Sequence, residues 1–344
     1  MSQANTSSDS AIGDAFEALL GEHCPADTVR AIESGGNAES LWATIDSSGF
    51  ADALVDESSG GSGLSLAEAL PLWVQAGAHA LPLALAETML ARALLAQAGI
   101  THARGPICLA PARQAQNGML HCPSAALART AESALVQAAG EVRLLPIRSA
   151  EAAPCAFELD LALEWSATAW REAPQIASAP DLKLLQALCM SAYMAGALHT
   201  VFTRTLAWAN EREQFGRAIG KFQAIQHQLA VLAEEAFSAR IAVQIACQPQ
   251  SSRLGIDPVR IAIAKARTSE AALQGAQISH AIHGAIGFTS EFDLQLFTRR
   301  LHAWRLAAGS ESAWHKALGE ALLAQPAALP SLDFIRAATD PPLA

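Results

Sequence analysis

The sequence predicts a mainly helical fold with a small β-domain in its middle, on three observations. Runs with helical apolar spacing occupy both ends of the 344-residue chain. Between about His102 and Trp170 they give way to short apolar runs punctuated by Gly, Pro and polar residues. Half of the residues (51%) are hydrophobic and only 16% are charged, which suits helices that bury more than one face, some against another subunit. The length exceeds one simple core and suits two or three domains.

In chain order, MSQANTSSDS reads as a short disordered tail, without the positive and apolar regions of a signal peptide. From Ile12 to about Gly99 the pattern is helical: AFEALLGEH, LWATIDSSGF, then a long run from Leu66 through Leu95. The glycine-serine stretch Glu57 to Gly63 breaks it, and Ser62 or Ser65 is placed to cap the helix that follows. GPICLAPA, NGMLHCPS, ALVQAAG, EVRLLPIRS and FELDLALEW then read as strands. Helices return with a proline-free run from Leu182 to Glu211, a second from about Phe222 to Cys247, and a third from Pro258 to about His283. HGAIG ends the third, and shorter helices follow. Short connections make these a helix bundle. The expected domains are a tail over 1–11, an N-terminal α-domain over 12–101, a reduced middle β-domain over 102–172 and a C-terminal four-helix bundle over 180–335.

Several function classes are excluded at this point. With 33 acidic against 23 basic residues and a net charge of −10, the chain lacks the dense cationic surface of a nucleic-acid binder. Mean hydropathy is high, at +0.21. Yet the apolar stretches are interrupted by Glu87, Arg92, Gln186 or Arg204, so no membrane span is expected. Six scattered cysteines form no C-x-x-C pair, which argues against a disulfide framework or a metal site. The expected compartment is the cytoplasm.

The chemistry-bearing segment is ER-EQFGRAIGKFQAIQHQLA, from Glu211 to Ala230. Arg212 is a permanent cation whose fork of donors suits a pyrophosphate. Phe215 offers a face to adenine or ribose, Gly216 lets the backbone turn close to a ligand, and Gln223 can hydrogen-bond to a dinucleotide. Taken alone, the same residues suit an Arg–carboxylate pair and a buried Phe at a helix end.

This segment closely resembles the R-x-x-F-G signature of the acyl-CoA dehydrogenase family. Two further stretches, AIHGAIGFTSEFDLQL from Ala281 and GFADALVDESSGGSGLSLAEAL from Gly49, are similar to its glycine loop and its G-G-x-G-L-S-L segment. The order helical domain, β-domain, helical bundle is also the family's. The resemblance implies FAD at a subunit interface, its ADP part held by Arg212, Gln214, Phe215, Phe222, Gln223, His283, Gly284 and Ala285. Ala281 stands where the family commonly has a glutamine, and His283 is either a flavin contact or a loop histidine satisfied by backbone.

The resemblance also implies a reaction in which a glutamate removes the α-proton of an acyl thioester while the flavin accepts the β-hydride. The usual E-G-T motif falls on Ala308-Gly309-Ser310, and the alternative position, on the first bundle helix, is Gln186. Neither is a base. Glu311 is the candidate for a relocated one, whereas Glu291 and Asp293 suit a helix start. The middle domain carries nothing like the family's T-E-P-x-x-G-S-D flavin cradle and is short.

These absences resemble the short subunit of heteromeric acyl-CoA dehydrogenases of sterol and bile-acid catabolism. There a longer partner supplies the glutamate and flavin cradle, usually in an α2β2 assembly. The implied partners are that subunit, an acyl-CoA substrate and electron-transfer flavoprotein. A self-sufficient homomer, a flavin-free structural relative and a flavin monooxygenase-type relative are the alternatives. Arg299, Arg300, His302 and Arg305 suit salt bridges or, more sharply, a CoA or ADP phosphate.

Overall fold

The computed structural model describes residues 2–101, 104–250, 252–325 and 331–340, with side chains from residue 11 onward. The expected start of the β-domain at residue 102 and the stretch 326–330 of the expected bundle lie outside them. Two compact units emerge, Met1–Trp73 with Leu81–Cys189, and Val74–Ala80 with Met190–Ala344. The N-terminal helices and the β-region thus belong to one unit.

In the first unit, helices α1 (Ser2–His23), α2 (Ala26–Glu33) and α3 (Glu39–Ser47) precede the glycine-serine loop. Helix α1 runs through the stretch expected as a tail, because local i to i−4 bonding continues upstream of the apolar run. Of the two candidate caps, Ser65 opens α4 (Leu66–Ala78) in a capping box. Its backbone N–H and hydroxyl donate to Glu68 Oε2 at 2.8 and 2.7 Å, and its Oγ accepts from Glu68 N at 3.3 Å. The expected run through Leu95 is interrupted. A turn with Ala80 at φ +51° and with Pro82 separates α4 from α5 (Leu85–Gln97).

Every residue of α5 from Leu85 to Leu95 is buried, including Arg92. Its guanidinium pairs with Asp46 at 2.7 Å and Asp52 at 2.9 Å, and Arg104 pairs with the same two carboxylates. A cation so far from water needs that compensation. Thr88 Oγ1 accepts the N–H of Ile107 at 2.9 Å, tying α5 to β1 (Ile107–Pro111). This is why helices and strands share one unit.

The five expected apolar runs supply β1, β3 (Leu120–Ala125), β4 (Ser133–Ala138), β5 (Glu141–Pro146) and β7 (Leu161–Trp165). The short strands β2 (Arg113–Gln114), β6 (Glu151–Pro154) and β8 (Gln175–Ile176) were not legible in advance. One sheet has the order β1-β4-β5-β8 and the other β2-β3-β7-β6. Only the β1–β4 pairing is parallel among them. The helix α6 (Ala167–Glu172), capped by Ser166, follows.

The helix α7 (Leu182–Glu211) runs from the first unit into the second. It is long and apolar enough to cross a membrane by length and composition, yet 83% of that window is buried inside the fold. The second unit continues with α8 (Gln223–Ala246) and α9 (Pro258–His283). Asp257 caps α9, accepting from Val259 N at 2.8 Å and Arg260 N at 3.2 Å, with Pro258 in the first turn. Gly275 marks where three helices meet. A Cβ there would lie 2.7 Å from Leu198 of α7 and 3.4 Å from Leu232 of α8. Helices α10 (Leu294–Leu306), α11 (Glu311–Leu323) and α12 (Ser331–Thr339) complete the unit.

Candidate functional site

At the end of α7 the R-x-x-F-G segment folds into a minute hairpin. Strand β9 (Glu213–Gln214) pairs antiparallel with β10 (Arg217–Ala218), Gln214 opposite Arg217. Phe215 and Gly216 form its two-residue loop, with φ of +52° and +78°. Both values are positive, as a type I′ turn requires, so Gly216 is the natural second residue. Phe215 is not a natural first. A bulky side chain in the left-handed region costs roughly 1–2 kcal/mol, and this one is 92% exposed. Strain and exposed aromatic area coincide at the tip.

The backbone around Arg212 is fixed on both sides. Its N–H donates to the Trp208 carbonyl at 2.9 Å, and its carbonyl accepts the Ile219 N–H at 2.8 Å. Its guanidinium is exposed and pairs with no carboxylate among the described residues. The expected alternative of an internal Arg–carboxylate pair with a buried Phe is therefore not what this segment forms.

Phe222, half-buried, sits at the start of α8 and meets Phe215 edge-on at 6.2 Å. Arg217, which the sequence reading passed over, lies 4.1 Å above the Phe222 ring. The signal was its place directly after F-G, opposite Gln214 in the hairpin register. Gln214 and Gln223 are exposed. Phe222 provides no side-chain cap for α8, so among the described residues the Gln223 and Ala224 amides stay open beside Arg217, while the Ile225 N–H donates to the Phe222 carbonyl at 3.0 Å. An exposed cation, open amides and free aromatic area suit the pyrophosphate and adenine of an ADP group.

The glycine loop reaches the same end of the unit. Ile282 packs in one cluster with Ala209, Ile219 and Leu229, flanked by Trp208, Phe222, Ile225 and Ile278. Gly284, at φ +68°, and Ala285 are exposed, as is Ala281. His283 is not. It is 6% exposed, stacked on Trp208 at 5.4 Å and 19°, and its Nδ1 donates to the Ser279 carbonyl at 2.8 Å. Burial holds its pKa below the ordinary histidine value, against a smaller opposite effect of the Ser279 bond. The backbone bond that one of the two expected roles requires is therefore present at Nδ1.

The two positions at which the resemblance implies a base are both engaged within the fold. Gln186 is buried, and its Nε2 donates to the Leu109 carbonyl of β1 at 3.3 Å. Ala308 stands at φ +59° in a loop held from several sides. Trp314 Nε1 donates to the Gly309 carbonyl at 3.2 Å, and the buried Lys265 ammonium donates to the carbonyls of Trp304 and Arg305 at 3.0 and 2.8 Å. Burial lowers the Lys265 pKa to about 7. Glu311 is bound in a bidentate pair by Arg305, whose hydrogen bonds hold its carboxyl below the usual range. A more acidic, paired carboxylate is a poorer base.

Asp293 takes its place at the start of α10 but spends its carboxylate on Arg204, at 3.0 Å. In the basic cluster, Arg300 is fully buried and Arg305 is committed to Glu311. The salt-bridge reading holds for Arg305, and neither side chain is presented to a phosphate.

Comparison with known proteins places these features. Residues 185–323 match the family described as acyl-CoA dehydrogenase, C-terminal domain. Acyl-CoA dehydrogenase IpdE2 of Mycobacterium tuberculosis is 28% identical over 287 residues, spanning 83% of this chain and 87% of its own length. The ChsE4–ChsE5 complex from Mycobacterium tuberculosis contains a chain of the same fold, with a TM-score of 0.79 at 18% identity over 93% of this chain and 98% of that one. A variant of the Tcur3481–Tcur3483 steroid ACAD follows, with a TM-score of 0.78 at 20% identity over 92% and 98%. The same fold holds FAD in the structure of PigA with FAD and proline.

Proposed function

Because the chain belongs to the acyl-CoA dehydrogenase family, we propose that it is the short subunit of a heteromeric FAD-dependent acyl-CoA dehydrogenase. It contributes the ADP side of the flavin site, and a longer subunit, in an α2β2 assembly, contributes the catalytic glutamate and the flavin cradle. One contrast carries the reading. The side chains of Arg212, Gln214 and Phe215 are exposed beside Phe222 and Gln223, while Gln186 and Ala308 occupy the positions at which the resemblance implies a base.

Bound FAD would supply the acceptor for the β-hydride of the acyl thioester, with the α-proton going to a carboxylate of the longer subunit. This chain's own residues bind and orient. Arg212 neutralises pyrophosphate charge, the open amides of α8 add their dipole, and Phe215 covers an apolar face of the ADP part. Gly284 and Ala285 bring exposed backbone to the same end. The acyl group is read from the company of the fold. Kinship with a steroid ACAD supports a steroid-derived CoA thioester, with electrons passed on to electron-transfer flavoprotein.

The test is gel filtration and a visible spectrum of this chain, alone and co-expressed with its longer partner. A flavin spectrum and acyl-CoA-dependent bleaching are expected only together. If the chain alone carries FAD and oxidises acyl-CoA, the division of labour is wrong. The pairing of Glu311 with Arg305 speaks against the self-sufficient alternative.

A further inference from the structure

We propose that His283 is a positioning residue, whose ring, stacked on Trp208, holds the Arg212 hairpin in register with the glycine loop, and that it does not itself touch the flavin. The inference deepens the ADP-side reading and rests on it. His283 is the last residue of α9, directly before Gly284. Trp208 lies in the last turn of α7, and its carbonyl receives the Arg212 N–H at 2.9 Å. One ring pair therefore joins the two segments that the cofactor would meet. Phe292 closes the stack, its ring 5.6 Å from Trp208 and 5.2 Å from His283.

Several observations separate positioning from contact. Nδ1 is spent on the Ser279 carbonyl, which fixes the neutral tautomer and the plane of the ring. Nε2 is inaccessible to solvent and has no hydrogen-bond partner among the described residues, so it faces inward and away from the surface. The contact that His283 makes with the hairpin-bearing helix is the flat face of its ring on Trp208. Its titratable neighbour is His280, which stacks on Phe288 at 4.0 Å and has its own pKa lowered, by burial first and then by His283. The glycine loop is thereby gripped twice, by His283 at its start and His280 near its end.

The experiment uses the full chain assembled with its longer partner, stripped of FAD and titrated with FAD while flavin fluorescence is followed. Replacing His283 by Phe keeps a flat ring on Trp208, and the FAD dissociation constant should stay within about threefold of the wild type. His283→Leu fills the space without a ring, and the constant should rise about tenfold. His283→Gln carries the same expectation should the leucine variant fail to fold. Trp208→Leu combined with His283→Leu should lose no more than the worse single change, because both remove one interaction. Equal losses for Phe and Leu would mean that a polar contact of the imidazole matters, and would overturn the positioning role. Unchanged affinity in His283→Leu would overturn it too. Arg212→Ala separates the two levels. If it leaves FAD affinity intact, the ADP-side reading falls. If it weakens binding while His283→Leu does not, only the positioning role falls.

Discussion

The hairpin after α7 and the loop after α10 end two neighbouring helices of one unit, yet they are built on opposite principles. The hairpin keeps a phenylalanine in the left-handed region, almost wholly exposed, beside an arginine with no carboxylate partner among the described residues. The loop at Ala308 also has a left-handed non-glycine residue, but it is fastened by Trp314, Lys265 and the Arg305–Glu311 pair. Strain left open at the surface is strain that a ligand can use. Strain enclosed by hydrogen bonds merely holds a shape. The contrast teaches that the same left-handed backbone can leave side chains open to solvent or be enclosed by hydrogen bonds, and the proposed division of labour rests on that difference.

Four changes would break or sharpen that contrast. The largest effect is expected at the other closed position, Gln186→Glu. A buried carboxylate loses the donation to Leu109 and faces its carbonyl instead, which should cost about 2–4 kcal/mol of stability in urea unfolding. No dehydrogenase activity should appear in the chain alone. A stable, active Q186E chain would show that the position is an open site.

Next, Arg212→Ala should weaken FAD binding to the assembled complex by about 2 kcal/mol, roughly thirtyfold. Flavin fluorescence titration measures it, and the loss should shrink with added salt, as expected for an exposed charge.

Phe215→Asn should move two quantities in opposite directions. Asn-Gly is the favoured type I′ pair, so the chain should gain up to about 1 kcal/mol in thermal unfolding. FAD affinity should fall together with that gain. A variant that is more stable and binds equally well would make Phe215 a structural accident.

The smallest effect belongs to Glu311→Gln. Turnover of the complex should not change, and stability at neutral pH should fall by about 0.5–1 kcal/mol for loss of the Arg305 pair. The pH dependence carries the sign. The folded-state pKa of Glu311 is lowered, so its contribution is complete above the ordinary carboxylate range and is lost as pH falls through the lowered value. The wild type and E311Q should therefore converge in acid and diverge toward neutrality. A turnover loss in E311Q would revive the relocated base.

Much of this molecule could be read along the chain, because the physics concerned is local. Helical spacing placed α7, α8 and α9 with bounds within a residue or two. The capping box at Ser65 and the Asp257-Pro258 start are nearest-neighbour chemistry. The hairpin was not anticipated from the R-x-x-F-G run, although a two-residue turn depends only on the residues in it. Breaks were less legible. The turn at 79–84 hides in a continuous apolar run whose only local sign is Pro82. Strands as short as β2, β6 and β8 have no period to detect.

The sequence alone determined which residue types are present: an arginine, aromatic and glycine pattern suited to a dinucleotide, and no carboxylate at either position where the resemblance implies a base. Tertiary structure alone decided what each of those residues is free to do. Gln186 is committed to a carbonyl 77 residues away, Glu311 is neutralised by Arg305, and His283 is turned inward against Trp208 while Phe215 is turned out. Residue type sets what a side chain can donate, accept or carry. Whether that capacity is spent inside the fold or offered to a ligand depends on partners brought together only by packing.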